Sequence, residues 1–240
     1  MLRKGLRIGC CGFPVSRDRY FKDFDVVELQ QTFYQPPELR TIERWRDGSP
    51  RGFEYTIKAW QLITHEPSSP TYRRLKIRIP PSRMRCYGSF KPTDEVFEAF
   101  ELIKQIADIL GARIIVFQSP ASFEPSTGNK ENMKRFFSII KRDGLILAWE
   151  PRGMWKDDEI RGLCKELDLV HVVDPFKAIQ VHGRIQYYRL HGIGGYKYRY
   201  TEEDLKRLGS MIDAQRNTYI MFNNVHMYED AISFKRLYRG

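Results

Sequence analysis

Side chains alternate across a β-strand, so polar residues two apart share a face. Four segments place chemistry-bearing groups that way: Glu28-x-Gln30, Glu54-x-Thr56-x-Lys58, Glu150-x-Arg152 and Arg189-x-His191. Their opposite faces are apolar or aromatic, with Val27, Leu29, Tyr55, Ile57, Trp149 and Leu190. Together they supply the parts of a proton-transfer site for an anionic substrate. Glu28 or Glu150 would move a proton, His191 would be the partner acid or base, and Lys58, Arg152 and Arg189 would hold anionic oxygens. Trp155 follows Glu150 and Arg152 at one strand end; with Gln118 and Asn223 it would orient the ligand. Blander roles stand beside these: an internal Glu28–Lys58 ion pair, loop capping by Gln118 and Asp174, and a turn at Asn223-Asn224. Among the five histidines His191 is best placed, His65 is intermediate, and His171 and His182 read as packing or loop residues.

These residues need elements to hold them. Eight apolar runs read as strands: 7–13, 26–33, 53–60, 113–118, 145–150, 170–174, 186–191 and 218–223. Helical patterns alternate with them at 38–46, 94–110, 130–141, 157–167, 201–215 and 225–237. Thr93-Asp94-Glu95, Asp157-Asp158-Glu159 and Thr201-Glu202-Glu203-Asp204 mark helix starts, and Gly111 and Gly144 mark stops. The 240 residues divided among eight units match a single α/β domain, a (β/α)8 barrel of the TIM type. Gly9-Cys10-Cys11-Gly12 lacks the spacing of a dinucleotide-binding loop, which disfavours an open doubly wound sheet. The polar faces should gather at the carboxyl end of the strands. Residues 66–92 form an irregular insertion after the third strand, with five prolines, expected to run over the barrel's mouth. The loop His191-Gly192-Ile193-Gly194-Gly195 follows the seventh strand, where barrels bind phosphate through backbone amides or simply turn.

The formal net charge of +10 is local. Twelve of the 40 basic residues lie in two acid-free stretches, 67–93 and 176–201, and the rest of the chain carries 28 basic against 30 acidic groups. Both stretches interleave cations with tyrosines, as phosphate neutralisation and base stacking require, and Arg73, Arg74, Arg83 and Arg85 are the nucleic-acid-binding candidates. Solvated loops are the plain alternative. The four cysteines lack metal or redox spacing and read as reduced thiols of a cytoplasmic protein. The start, Met1 to Gly5, runs into a strand without a secretory pattern, and no apolar run is long enough to cross a membrane.

Several of these motifs, in this order, resemble the domain of unknown function 72 family, also called YecE-like, over almost the whole chain. They are Ile8-Gly9 to Gly12, Val27-Glu28-Leu29 with Thr32-Phe33-Tyr34, Ile63-Thr64-His65, Phe117-Gln118-Ser119-Pro120, Glu150-Pro151-Arg152, Tyr188-Arg189-Leu190-His191-Gly192 and Phe222-Asn223-Asn224. The resemblance implies a TIM barrel with a site formed by Glu28, Lys58, His65, Gln118, Glu150, Arg152, Trp155, Asp174, Arg189, His191, Tyr200 and Asn223. Cys10-Cys11 and the basic insertion depart from the family pattern. The barrel is similar to those of metal-dependent apurinic endonucleases and sugar isomerases, an analogy of fold.

No cofactor is expected. Three acids against three cations at the mouth disfavour a multi-metal cluster, while a single divalent ion is admitted. The leading expectation is a hydrolase acting on a phosphate-bearing substrate, DNA or RNA included, at a phosphodiester or N-glycosidic bond. A nucleic-acid-binding protein without catalysis is the first alternative. The second is a sugar or small-metabolite enzyme using a Glu28–Glu150 carboxylate pair.

Overall fold

Strand and helix alternate in the computed structural model of the chain, which describes residues 5–238. The first four residues, expected to lead straight into a strand, lie outside the described residues. The elements run β1 (Leu6–Cys11), α1 (Arg17–Asp23), β2 (Val26–Leu29), α2 (Gln31–Tyr34), α3 (Leu39–Asp47), β3 (Glu54–Lys58), α4 (Gln61–Thr64) and α5 (Asp94–Leu110). They continue with β4 (Ile114–Gln118), α6 (Thr127–Ile139), β5 (Ile146–Glu150), α7 (Asp157–Glu166), β6 (Val170–His171), β7 (Gln186–Leu190), α8 (Glu202–Ser210), β8 (Thr218–Phe222) and α9 (Met227–Leu237). The strands are parallel, in the order β6-β5-β4-β3-β2-β1-β8-β7. A parallel bridge from Val173 to Tyr188 joins the two ends, so the sheet is a nearly closed (β/α)8 barrel.

Alternation along the strands sorts the apolar residues into two clusters. Cys11, Val26, Ile114, Val116, Ala148, Val170, Tyr187 and Met221 fill the barrel interior. Ile57, Ile115, Phe117, Leu147, Trp149, Leu190 and Phe222 point outward under the helices, where Phe90, Phe100, Phe136 and Phe137 pack against Phe117. A parallel sheet buried on both faces needs both clusters.

Several boundaries differ from those the sequence suggests. The run 26–33 divides after Leu29, because the Thr32 hydroxyl donates to the carbonyls of Leu29 and Lys58 and turns the chain into α2. The helix expected to reach Gln215 stops at Ser210, since Asp213 accepts from the Gln215 amide and pairs with Arg216, a turn that competes with helix. Thr201 and Asp204 do form a reciprocal cap at the start of α8. Thr93 does not cap α5; its hydroxyl donates to Cys86 O.

That last bond helps to fasten the insertion. Residues 66–92 contain two 3₁₀ turns, Pro70–Arg74 and Pro81–Cys86. The segment is fastened to the loops that follow β2 and β3. The Tyr72 hydroxyl donates to His65 O at 2.9 Å, Lys76 N donates to Gln35 Oε1 at 3.2 Å, and Arg74 lies over the Tyr34 ring at 4.2 Å. Gly88 closes the loop: its amide donates to Leu62 O, its φ is +81°, and a Cβ there would lie 2.3 Å from His65 O. Gly88→Ala should therefore lower stability by more than about 1 kcal/mol, read as a lower urea midpoint at unchanged slope. An unaltered midpoint would show that the loop is not anchored there.

Candidate active site

The mouth is the last interior layer of side chains at the carboxyl ends of the strands. Register aligns Cys11 with Glu28, Glu28 with Thr56 and Gln118 with Glu150. Glu28, Lys58, Gln118, Glu150 and Arg189 therefore share the inner face. Glu54 does not belong to this end: it lies at the opposite rim, 2.6 Å from Arg7 Nε, and accepts from the Tyr219 hydroxyl at 2.8 Å.

Arg189, with no exposed surface, is the centre of the layer. Nη2 lies 2.9 Å from Glu28 Oε1, and Nη1 donates to Glu150 Oε2. The blander alternative, an internal Glu28–Lys58 ion pair, is replaced by Glu28–Arg189. Glu28 also accepts from Gln30 Nε2 and, at 2.8 Å, from the Tyr187 hydroxyl, which bonds Thr56 in turn. Burial alone would push the Glu150 carboxyl up, but Arg189, His191 and Arg152 outweigh it and hold it well below the usual range.

His191 carries the layer to the surface. Its Nε2 is 3.0 Å from Glu150 Oε1, and Asn223 Nδ2 is 3.1 Å from its Nδ1. Arg152 Nη2, which can only donate, lies 2.6 Å from the same Nε2, so that nitrogen faces both a carboxylate oxygen and a guanidinium N–H. Burial lowers the imidazole below its ordinary value, against the opposing pull of Glu150, so the ring is neutral at neutral pH. Arg152 Nε donates to the same Glu150 oxygen at 2.8 Å. Asp174 accepts from the amides of His191 and Phe176, which is the capping role, and it fixes the backbone of the histidine. Tyr200, buried, accepts from Gly192 N at 2.9 Å and steadies the glycine loop.

The remaining candidates are more peripheral. Trp155 is committed to packing: Nε1 donates to Phe123 O, and its ring stacks on Phe123 and meets Trp149 edge-on. Its edge still lines a cleft of about 230 Å³ with Glu150, Arg152, Asp174, Lys177 and His191. His65 is buried against Phe33 beside Thr64, and burial with Lys58 lowers its pKa to about 3. Gln118 ends β4, half-buried. Gln30 and Tyr187 belong to the network although the sequence reading gave neither a role at the site; Glu28-x-Gln30 and Tyr187-x-Arg189, each on one strand face, were the available signals.

The second basic stretch is divided, with Lys177, Arg184, Lys197 and Arg199 exposed. Arg189 is internal, Tyr187 and Tyr188 are strand core, and the Tyr198 hydroxyl donates to Asp204. Among the described residues no three His, Cys, Asp or Glu groups are placed to hold a metal. The acids that would bind one are already engaged by guanidiniums, so this donor set does not fit a multi-metal cluster. No helix is long and apolar enough to cross a membrane.

The family model described as "Protein of unknown function DUF72" matches residues 16–239. A DUF72 family protein of Thermotoga maritima MSB8 superposes with a TM-score of 0.72 at 20% identity, covering 99% of this chain and 100% of that one. Another, from Enterococcus faecalis V583, gives 0.72 at 17% identity, covering 98% of each chain. A xylose isomerase domain containing protein of Salmonella typhimurium LT2 gives 0.61 at 15% identity, covering 99% and 96%. At such identities the likeness is one of fold. No curated protein matches the chain.

Removing the central cation should expose its role. Arg189→Met should cost about 3–5 kcal/mol at pH 7, because two buried carboxylates lose their partner. The sign with pH should also invert. Native stability falls as acid protonates the depressed Glu150 carboxyl, whereas the variant should gain stability from pH 7 to 5 as one of the facing acids takes a proton. Parallel urea titrations with pH would refute the bridging role.

Proposed function

The chain belongs to the DUF72 family of proteins of unknown function, and from the chemistry of its barrel mouth we propose an enzyme acting by proton transfer on a phosphate-bearing substrate. A phosphodiester or N-glycosidic bond is the reacting group. The observation that carries this is the neutral His191, set among ionised Glu150, Arg152 and Asn223 at the rim. Such a ring can accept a proton, and the imidazolium formed is stabilised by the buried carboxylate. Beside it Arg152, with 37% of its side chain exposed, and Lys177 line the cleft and meet anionic oxygens. A glycosidase-type Glu28–Glu150 pair is disfavoured, because the buried Arg189 guanidinium lies between the two carboxylates and engages both.

Nucleic acid is the favoured source of the phosphate. Arg73, Arg74, Lys76, Arg78 and Arg85 are exposed, and among the described residues none forms an ion pair, while Arg83 is only 4.0 Å from Glu95. A groove of about 760 Å³ runs between Tyr34–Glu38 and Arg74 with Lys76. It reaches Gln30, which bonds Glu28 in the central layer. Aromatic, amide and cationic groups along one groove suit a single strand.

Purified protein should turn over at least one of abasic, damaged or structured oligonucleotides or phosphosugars, assayed with and without divalent ions. Glu150→Gln should lower kcat by about 100-fold or more. Activity should decline on the acid side below the ordinary imidazole value, as His191 takes a proton, and His191→Asn should abolish that limb. Absence of turnover on the whole panel defeats the proposal. Separately, oligonucleotide binding should weaken steeply with salt, and neutralising Arg73, Arg74, Arg83 and Arg85 together should flatten the log–log slope by about three. An unchanged slope removes nucleic acid as the partner.

A further inference from the structure

Lys58 is a cation of the mouth that the ion-pair network leaves out. Among the described residues its amine makes no ion pair or hydrogen bond, whereas Arg152 and Arg189 each reach Glu150. Its Nζ lies 3.7 Å from the centre of the Phe33 ring, and only 6% of the residue is exposed. It shares the inner face of β3 with Thr56, the register partner of Glu28, one step nearer the mouth, and is close enough to the layer of Glu28, Glu150 and Arg189 to feel its charges. In that layer two carboxylates already offset two guanidiniums, and a protonated amine would add uncompensated charge. Burial, then Arg189, accordingly push Lys58 down to about 7. Desolvation and a cationic neighbour are the conditions that make a lysine amine a nucleophile; Glu150 and Glu28 oppose them, as does the Phe33 face, but neither carboxylate pairs with the amine.

We propose that Lys58 forms an imine with the carbonyl carbon of a sugar phosphate in its open-chain form, either free or as an abasic site in nucleic acid. The inference rests on the phosphate-bearing substrate proposed above. The Nζ lone pair bonds to the carbonyl carbon, and the C=O π pair moves to oxygen. That oxygen takes one proton from the amine and one from solvent and departs as water, leaving a protonated C=N bond. No oxidant or reductant takes part. The cationic imine acidifies the adjacent C–H, for which His191 is a base in the same mouth, so elimination or aldol-type cleavage beside the carbonyl is the reaction class. Water reverses the imine and frees the amine.

Borohydride reduction tests this, because hydride converts the imine to a stable secondary amine. The full-length protein is incubated near pH 7 with 2-deoxyribose 5-phosphate, with an abasic single-stranded oligonucleotide, or with unphosphorylated 2-deoxyribose, then reduced. Intact mass should show one adduct, mapped to the peptide containing Lys58. Lys58→Arg and Lys58→Met should each lose it by at least about ten-fold, with circular dichroism melts confirming the fold. Trapping of either phosphorylated probe supports the imine, and the probe that reacts identifies the source. No adduct, or adducts scattered over surface lysines and unchanged in Lys58→Met, overturns it. Turnover of the hydrolytic panel without trapping sinks the imine alone. Equal trapping of unphosphorylated 2-deoxyribose keeps the imine and sinks the phosphate requirement.

Discussion

A guanidinium sealed from solvent between two carboxylates is the constraint around which the mouth is built. Arg189 comes from β7, Glu28 from β2 and Glu150 from β5, so one side chain ties three strands that are not neighbours in the sheet. The Tyr187 hydroxyl adds β3 through Thr56. Such a cluster is stable only when its members are satisfied, since each buried charge would otherwise cost several kcal/mol (~3–5 when one partner is lost). Both Nη groups are used; Nε is the atom without a hydrogen-bond partner among the described residues. The barrel wall therefore supplies a polar layer whose geometry is set before any ligand arrives.

The balance of charge in that layer governs every titratable group around it. With two acids matched by Arg189 and Arg152, neither imidazole nor amine has an unshared counter-ion, and burial then decides. His191 stays neutral although it touches Glu150, and Lys58 moves toward neutrality beside Arg189. The same matching turns the carboxylates away from metal ligation, which distinguishes this mouth from a barrel whose acids and histidines are left free to converge on an ion.

Much of the mouth was legible because the period of a strand is two. Glu28-x-Gln30, Glu150-x-Arg152 and Arg189-x-His191 announce an inward polar face wherever their neighbours are apolar. The same rule identified Glu54, Thr56 and Lys58 as one face but not at which end Glu54 would lie; strand direction and register place it beside Arg7. Composition does not sort the second basic stretch: β7 buries Tyr187, Tyr188 and Arg189 and α8 takes Tyr198 as a partner for its first turn, while Lys177, Arg184, Lys197 and Arg199 stay exposed. In 66–92 the cations do remain exposed, because proline-rich 3₁₀ turns bury little side-chain surface.

The chain by itself determined the barrel, since hydrophobic periodicity is local and recurs in eight strand-like runs. It also determined which residue types could meet at the strand ends. Pairing was another matter. That Glu28 takes Arg189 rather than Lys58, that His191 bridges Glu150 and Asn223, and that Trp155 spends its indole N–H on Phe123 follow from distances between strands and loops far apart in order. Coulombic and hydrogen-bond energies depend on those separations, and separations across a closed sheet are set by register, which no single segment encodes.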